Sequence, residues 1–200
     1  FLYEKTYDAS DDASGILPSF LDMDGAPVQV DAGDFTITGA RFNSPNVKDA
    51  QSVTGTVALT AAGAAKFKLA QPAFRVKGGI RKAVPTLTPP TVGKTLYAGD
   101  IYGWDFSSGD LTGGGAAIAV SGGTQTVPGA FAFDESTISY RGLTGGTNYL
   151  PVTFTPADSG NIETKTFNLT VEAVRRGYVE VSDTYLTPAY GTAFDELNLP

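Results

Sequence analysis

The stretch Tyr149-Leu-Pro-Val-Thr-Phe-Thr-Pro156 puts Leu150, Val152 and Phe154 on one side of an extended chain and Thr153 and Thr155 on the other. This period-two alternation marks a half-buried β-strand, because successive strand side chains point to opposite faces. A turn of polar residues and glycine, Ala157-Asp-Ser-Gly-Asn161, follows. Pro156 cannot donate to a ladder, Asp158 can bond its own backbone and Gly160 tolerates positive φ, so the chain is expected to reverse there. Lys165-Thr-Phe-Asn-Leu-Thr-Val-Glu172 then repeats the alternation with Phe167, Leu169 and Val171 inward. The two stretches read as a hairpin.

Working outward, Ala130-Phe-Ala-Phe133 and Ser136-Thr-Ile-Ser-Tyr140 are further short strands, separated from the hairpin by Gly142-Leu-Thr-Gly-Gly146. The first half offers its own strands at Pro27–Val30, Asp34–Thr38, Val53–Leu59 and Ala73–Val76. Thr60-Ala-Ala-Gly-Ala-Ala-Lys66 has the composition of a helix weakened by Gly63, which predicts one turn between strands. Between the halves, Ala83-Val-Pro-Thr-Leu-Thr-Pro-Pro90 suits a semi-rigid linker or the leading edge strand of a second domain. The boundary is therefore placed near Lys82. Gly93-Lys-Thr-Leu96 is echoed by Gly191-Thr-Ala-Phe194 after similar extended segments, so residues 178–200 read as the start of a further repeat. The expected fold is all-β, two tandem antiparallel immunoglobulin-like β-sandwiches over residues 1–83 and 84–177.

Composition supports this and removes most chemistry. The 200 residues are 42% hydrophobic and include 24 Gly, 12 Pro, 9 Tyr and 12 Phe, a mixture suited to short strands and tight turns. There is no Cys and no His. Disulfides, thiolate metal sites and every Ser-His-Asp or Cys-His arrangement are thereby excluded. A net charge of −7 disfavours nucleic acid as a partner. The densest basic stretch, Arg75-Val-Lys77-Gly-Gly-Ile-Arg81-Lys82, lacks interleaved aromatics and reads as solvated charge at the boundary. There is no apolar run long enough to span a membrane and no signal peptide, and a start at Phe1 is expected of an internal piece of a longer polypeptide.

Two stretches resemble repeats of bacterial surface proteins. Lys5-Thr-Tyr-Asp8, with small and polar residues through Ala13, is similar to the opening of the YDG-type repeat, with Ala9 where that family has glycine. Val53 to Pro72, ending Phe67-Lys-Leu-Ala-Gln-Pro72, resembles its closing pattern of a small-residue bend before a Phe-x-Leu strand. The second half resembles the MBG-type immunoglobulin-like repeat through Gly93–Leu96, Gly129-Ala-Phe-Ala-Phe133 and Val152-Thr-Phe-Thr-Pro-Ala-Asp-Ser-Gly-Asn161. The resemblance implies tandem copies on extracellular, cell-surface or wall-attached adhesin-like proteins, with neighbouring repeats as partners and no catalytic residues.

Several residues qualify for a site. Tyr102, Trp104 and Phe106 alternate as on one strand face, either as an aromatic platform for sugar rings or as core filling, which makes Tyr102 and Trp104 the candidate ligand contacts. Asp8, Asp11 and Asp12, and Asp22 with Asp24, resemble oxygen-rich calcium loops without completing the EF-hand spacing. Lys66, Lys68 and Lys94 are candidates for an intramolecular isopeptide bond to Asn or Asp in a dry core. No spacing selects a carboxylate pair for glycoside hydrolysis. The reading is a non-catalytic stalk module without cofactor that spaces a distal binding region from the cell. The alternative is direct adhesion or carbohydrate binding, with host or cell-wall glycans or proteins as partners.

Overall fold

The computed structural model describes residues 2–136, 138 and 142–177, and the echo expected within 178–200 lies outside them. The protein is all-β. In chain order the first half contains β1 (Leu2–Thr6), β2 (Phe20–Leu21), β3 (Pro27–Val28), β4 (Phe35–Phe42), β5 (Ser52–Leu59), the single helical turn α1 (Ala61–Ala64) and β6 (Ala73–Arg81). The second half contains β7 (Thr86–Thr88), β8 (Thr91–Val92), β9 (Leu96–Tyr97), β10 (Leu111–Thr112), β11 (Gly115–Val120), β12 (Gly123–Thr126), β13 (Gly129–Phe133), β14 (Gly146–Pro156) and β15 (Lys165–Val174). None of the described helices is long and apolar enough to cross a membrane.

The hairpin read from the sequence is β14 and β15, with Leu150 opposite Leu169 and Val152 opposite Phe167. Val152 and Phe154 are almost wholly buried. On the outer face the Thr153 and Thr166 hydroxyls meet at 2.8 Å. β13 lies along β14, placing Phe131 across from Phe154. The strand expected over Ser136–Tyr140 is not seen where it can be followed. Ser136 sits in a turn held by Asp134, and Ile138 is buried without strand pairing. Thr137, Ser139 and Tyr140 lie outside the described residues.

In the first half β6 runs well past Val76. Phe74, Val76, Gly78 and Ile80 face inward, while Arg75, Lys77 and Arg81 point to solvent. The basic stretch is therefore the outer face of an interior strand rather than boundary charge, a correction that follows from the strand period. Arg81 pairs with Glu4 on the neighbouring β1. Gly55 has no side chain because a Cβ there would lie 2.6 Å from the Phe74 ring. Gly39, at φ 63°, absorbs a bulge between Thr38 and Arg41 that returns Ala40 and Phe42 to the core. The helical turn appears where expected, its N-terminus capped by Thr60 Oγ1 accepting from the Gly63 amide at 3.2 Å. The expected Phe67-x-Leu69 strand does not form. The Phe67 amide turns back onto the Gly63 carbonyl at 2.8 Å.

Both halves contain a four-stranded sheet of the same connectivity, β1-β6-β5-β4 and β9-β15-β14-β13. In each, the opening strand pairs in parallel with the closing one, so the sheets are mixed rather than wholly antiparallel. The Tyr7 amide bonds the Arg81 carbonyl where the first pair ends, and the Ala98 amide bonds Val174 where the second ends. Counting back equally from these exits matches Val76 with Leu169, Val53 with Leu150 and Val57 with Phe154. The other layers differ. The second half adds a three-stranded sheet, β12-β11-β7, and a two-stranded one, β10-β8, whereas among the described residues the first adds the hairpin β2-β3.

The halves meet through paired backbone. The Ala83 amide donates to the Asn161 carbonyl at 3.0 Å, and the Glu163 amide to the Ala83 carbonyl at 2.9 Å. Asn161 is 8% exposed. Its Oδ1 accepts from the Val47 amide at 2.8 Å, and its Nδ2 donates to Asn46 Oδ1 at 3.2 Å and Asp158 Oδ2 at 2.8 Å. Tyr7 packs onto the cluster of Ala83, Ile118, Phe154 and Ile162. Because Phe154 fills both this cluster and the Phe131 contact, Phe154→Ala is expected to cost about 3–5 kcal/mol, read as a lowered urea midpoint.

Candidate functional site

The segment Ile101–Phe106 is not a strand, so Tyr102, Trp104 and Phe106 do not share a face. It is a tight turn in which the Gly103 amide bonds the Phe106 carbonyl at 2.8 Å and the Trp104 and Asp105 amides both reach the Ile101 carbonyl. Asp105 closes it by accepting the Ile101 amide at 2.8 Å. Tyr102 and Phe106 turn inward and meet Phe133 edge to face, with ring centroids 5.5–5.6 Å apart. Trp104 is left at the tip, 90% exposed, which overturns core filling for the only Trp. Its indole offers an apolar face and one N–H donor to whatever approaches.

Neighbouring charges hold this turn in place. Lys94 donates to the Asp105 carbonyl and pairs with Asp110 at 3.1 Å. The Ser107 amide, and then Lys94, keep the Asp110 carboxyl below the usual carboxylate range. Beneath the turn, the Tyr102 hydroxyl donates to Glu135 at 2.9 Å and lies 3.3 Å from Ser108 Oγ. Burial pushes this phenol above its ordinary value, Ser108 opposes the rise and Glu135 adds to it.

The acidic residues singled out in the sequence do not converge. Lys5 takes Asp8 at 2.7 Å, Arg41 takes Asp11 at 2.8 Å, and Asp12 accepts the Ser14 hydroxyl at 2.7 Å. The Ser14 bond, outweighing slight burial and helped by Lys5 and Arg41, lowers the Asp12 carboxyl. Asp22 organises its own turn by accepting the Asp24 and Ala26 amides. Among the described residues no three acids gather as cation ligands would. Lys66 meets the buried Asp34 at 3.0 Å, but its side chain is 52% exposed and open to water. That is an ion pair rather than the dry, uncharged contact an amide bond requires.

The structure adds a feature that sequence reasoning missed. Between the first sheet and the β2-β3 hairpin lies an apolar groove of about 660 Å³, lined by Phe20, Leu21, Val28, Val57, Leu59 and Phe74 among others. Leu17, Leu21 and Met23 are largely exposed beside it. No residue-level signal marks it: Leu17 to Val30 mixes apolar residues with Ser19, Asp22, Asp24 and Gln29, and both of its strands are two residues long.

No protein-family model matches the sequence, and no curated protein matches it significantly. The phenol makes one prediction. A folded-state value raised above the unfolded one, about 10, stabilises fully below that pH and is lost as pH climbs through the folded value. Tyr102→Phe is therefore expected to lose less stability than the parent between neutral pH and pH about 11, measured by urea unfolding across that range.

Proposed function

We propose that the chain is a non-catalytic spacer. In this reading residues 1–83 and 84–177 are two immunoglobulin-like β-sandwiches in series within a large bacterial surface or secreted adhesin-like protein, and they hold a distal binding region away from the cell. The observation that carries it is parallel pairing where each half is entered: β1 runs parallel to β6, and Ala83, just ahead of β7, pairs in parallel with Ile162, just ahead of β15. Strands paired in parallel run the same way, so the polypeptide enters a half at one end and leaves it at the other. Units built so add up into a line rather than a cluster. The bonded joint at Ala83 and Asn161 supports the same reading, since a free linker would let the halves swing. Neighbouring repeats are then the principal partners. The resemblance to YDG-type and MBG-type repeats supports placement outside the cell, on its surface or wall.

Asn161→Ala should leave the Val47 amide without its side-chain acceptor, at a cost of about 1–3 kcal/mol. Small-angle scattering should then report a broader distribution of inter-half distances, and an unchanged profile counts against a stiff joint.

The exposed Trp104 favours a second reading, in which the modules themselves adhere to glycans or proteins. Passing the fragment over glycan and cell-wall panels separates the two. The spacer reading expects no saturable binding and no change in Trp104→Ala, whose stability should stay within about 0.5 kcal/mol of the parent. Saturable binding that disappears in Trp104→Ala assigns the function to the turn instead.

A further inference from the structure

The two halves share a four-stranded sheet but not its cover. In the second half, Phe154 lies beneath β12-β11-β7, and Leu87 of β7 packs onto the cluster around it. In the first half the equivalent residue, Val57, lines the 660 Å³ groove. The hairpin β2-β3 immediately precedes β4, as β11-β12 precedes β13, and Phe20 anchors it edge to face on Phe35 at 5.1 Å. Among the described residues β2 pairs with β3 alone, whereas β11 pairs with β12 on one side and β7 on the other. The first half therefore has a vacant strand position, bounded by the free edge of β2 and floored by apolar side chains.

We propose that this groove is a strand-addition site, and that its occupant is an extended polypeptide segment entering the first half ahead of β1 with an apolar residue aimed at Val57 and Phe74. Two sources of affinity are in place. The free edge of β2 supplies backbone donors and acceptors, and the groove supplies a socket for the alternate side chain. The position of the occupant follows from the shared connectivity. The exits of the two parallel pairs match Tyr7 with Ala98, hence Lys5 with Leu96. Leu87 precedes Leu96, and the same offset from Lys5 falls ahead of Phe1. The exposed Leu17, Leu21 and Met23 are then the rim that such a segment would cover. This inference rests on the common strand order and not on the spacer reading, so either can fail without the other.

The test adds a second copy of the sequence Ala83–Thr91 directly ahead of Phe1, which sets its leucine in the register of Leu87. Hydrogen exchange is followed by NMR at the amide of Leu21, which faces the free edge, with the amide of Phe20, already turned to Val28, as reference. Strand addition predicts that the Leu21 amide slows by about tenfold or more, and that the gain is lost when the added leucine is replaced by aspartate. Unchanged exchange at Leu21 overturns the proposal. In a parallel measurement the same nine residues are titrated as a free peptide into the unextended chain, with shifts expected at Phe20, Leu21, Val57 and Phe74. Failure there as well as in the extended chain removes any dependence on how the extension folds. If the unextended chain alone protects the Leu21 amide increasingly with concentration, the occupant is a second copy and the proposal is wrong.

Discussion

Everything in this molecule is arranged around one parallel pair in each four-stranded sheet, where the first strand of that sheet lies beside its last. β1 lies beside β6, and β9 beside β15, running the same way. A hairpin could not provide this, because parallel neighbours need a long crossover between them. The crossover takes up most of each half, and its hydrophobic face must close over the sheet on the way. Burial of Val53 and Ile80 in one half, and of Leu96, Val152 and Leu169 in the other, follows from that closure. The joint follows too, since β6 delivers Ala83 to the end of the second half where Asn161 waits.

The second half was the more legible of the two, for a physical reason. Its hairpin strands β14 and β15 are long enough for alternation to rise above composition, which places Leu150, Val152 and Phe154 inward on sequence pattern alone. The single helical turn after Thr60 was legible for a local reason, since a run rich in alanine needs no tertiary partner to form one turn. What stayed hidden depended on distant contacts. Gly78 and Gly79 look like a break in β6, yet β1 pairs both, Tyr3 with Gly78 and Glu4 with Gly79, and the Gly78 amide also bonds the Gln51 carbonyl. Tyr102, Trp104 and Phe106 have the spacing of a strand, but the bond from Asp105 to the Ile101 amide and the positive φ of Gly103 bend them into a turn. Spacing alone carries no information about that bend.

The candidate sites divide by the same logic. Sequence could nominate aromatic and acidic residues but not say which were already engaged. Lys5, Arg41 and the Ser14 hydroxyl occupy the acids near the start, and Asp34 is taken by Lys66. Trp104 emerged as the exposed member of its trio only because its two neighbours found Phe133. The groove had no residue-level signature at all. It exists because one half lacks a layer that the other possesses, and only the comparison of the two made that visible.

The parallel pairs also decide how the chain would respond to being pulled from its ends. Tension along the polypeptide would act along the strands, so that the bonds of a pair are sheared together instead of being opened one by one. The first half meets this with the five paired residues of β1 and β6, whereas the second meets it at its entry with the single pair of Ala83 and Ile162 and the three antiparallel pairs of β7 on β11. Under stretching, the second half would thus release its opening strand first and pay out length while the first half still held.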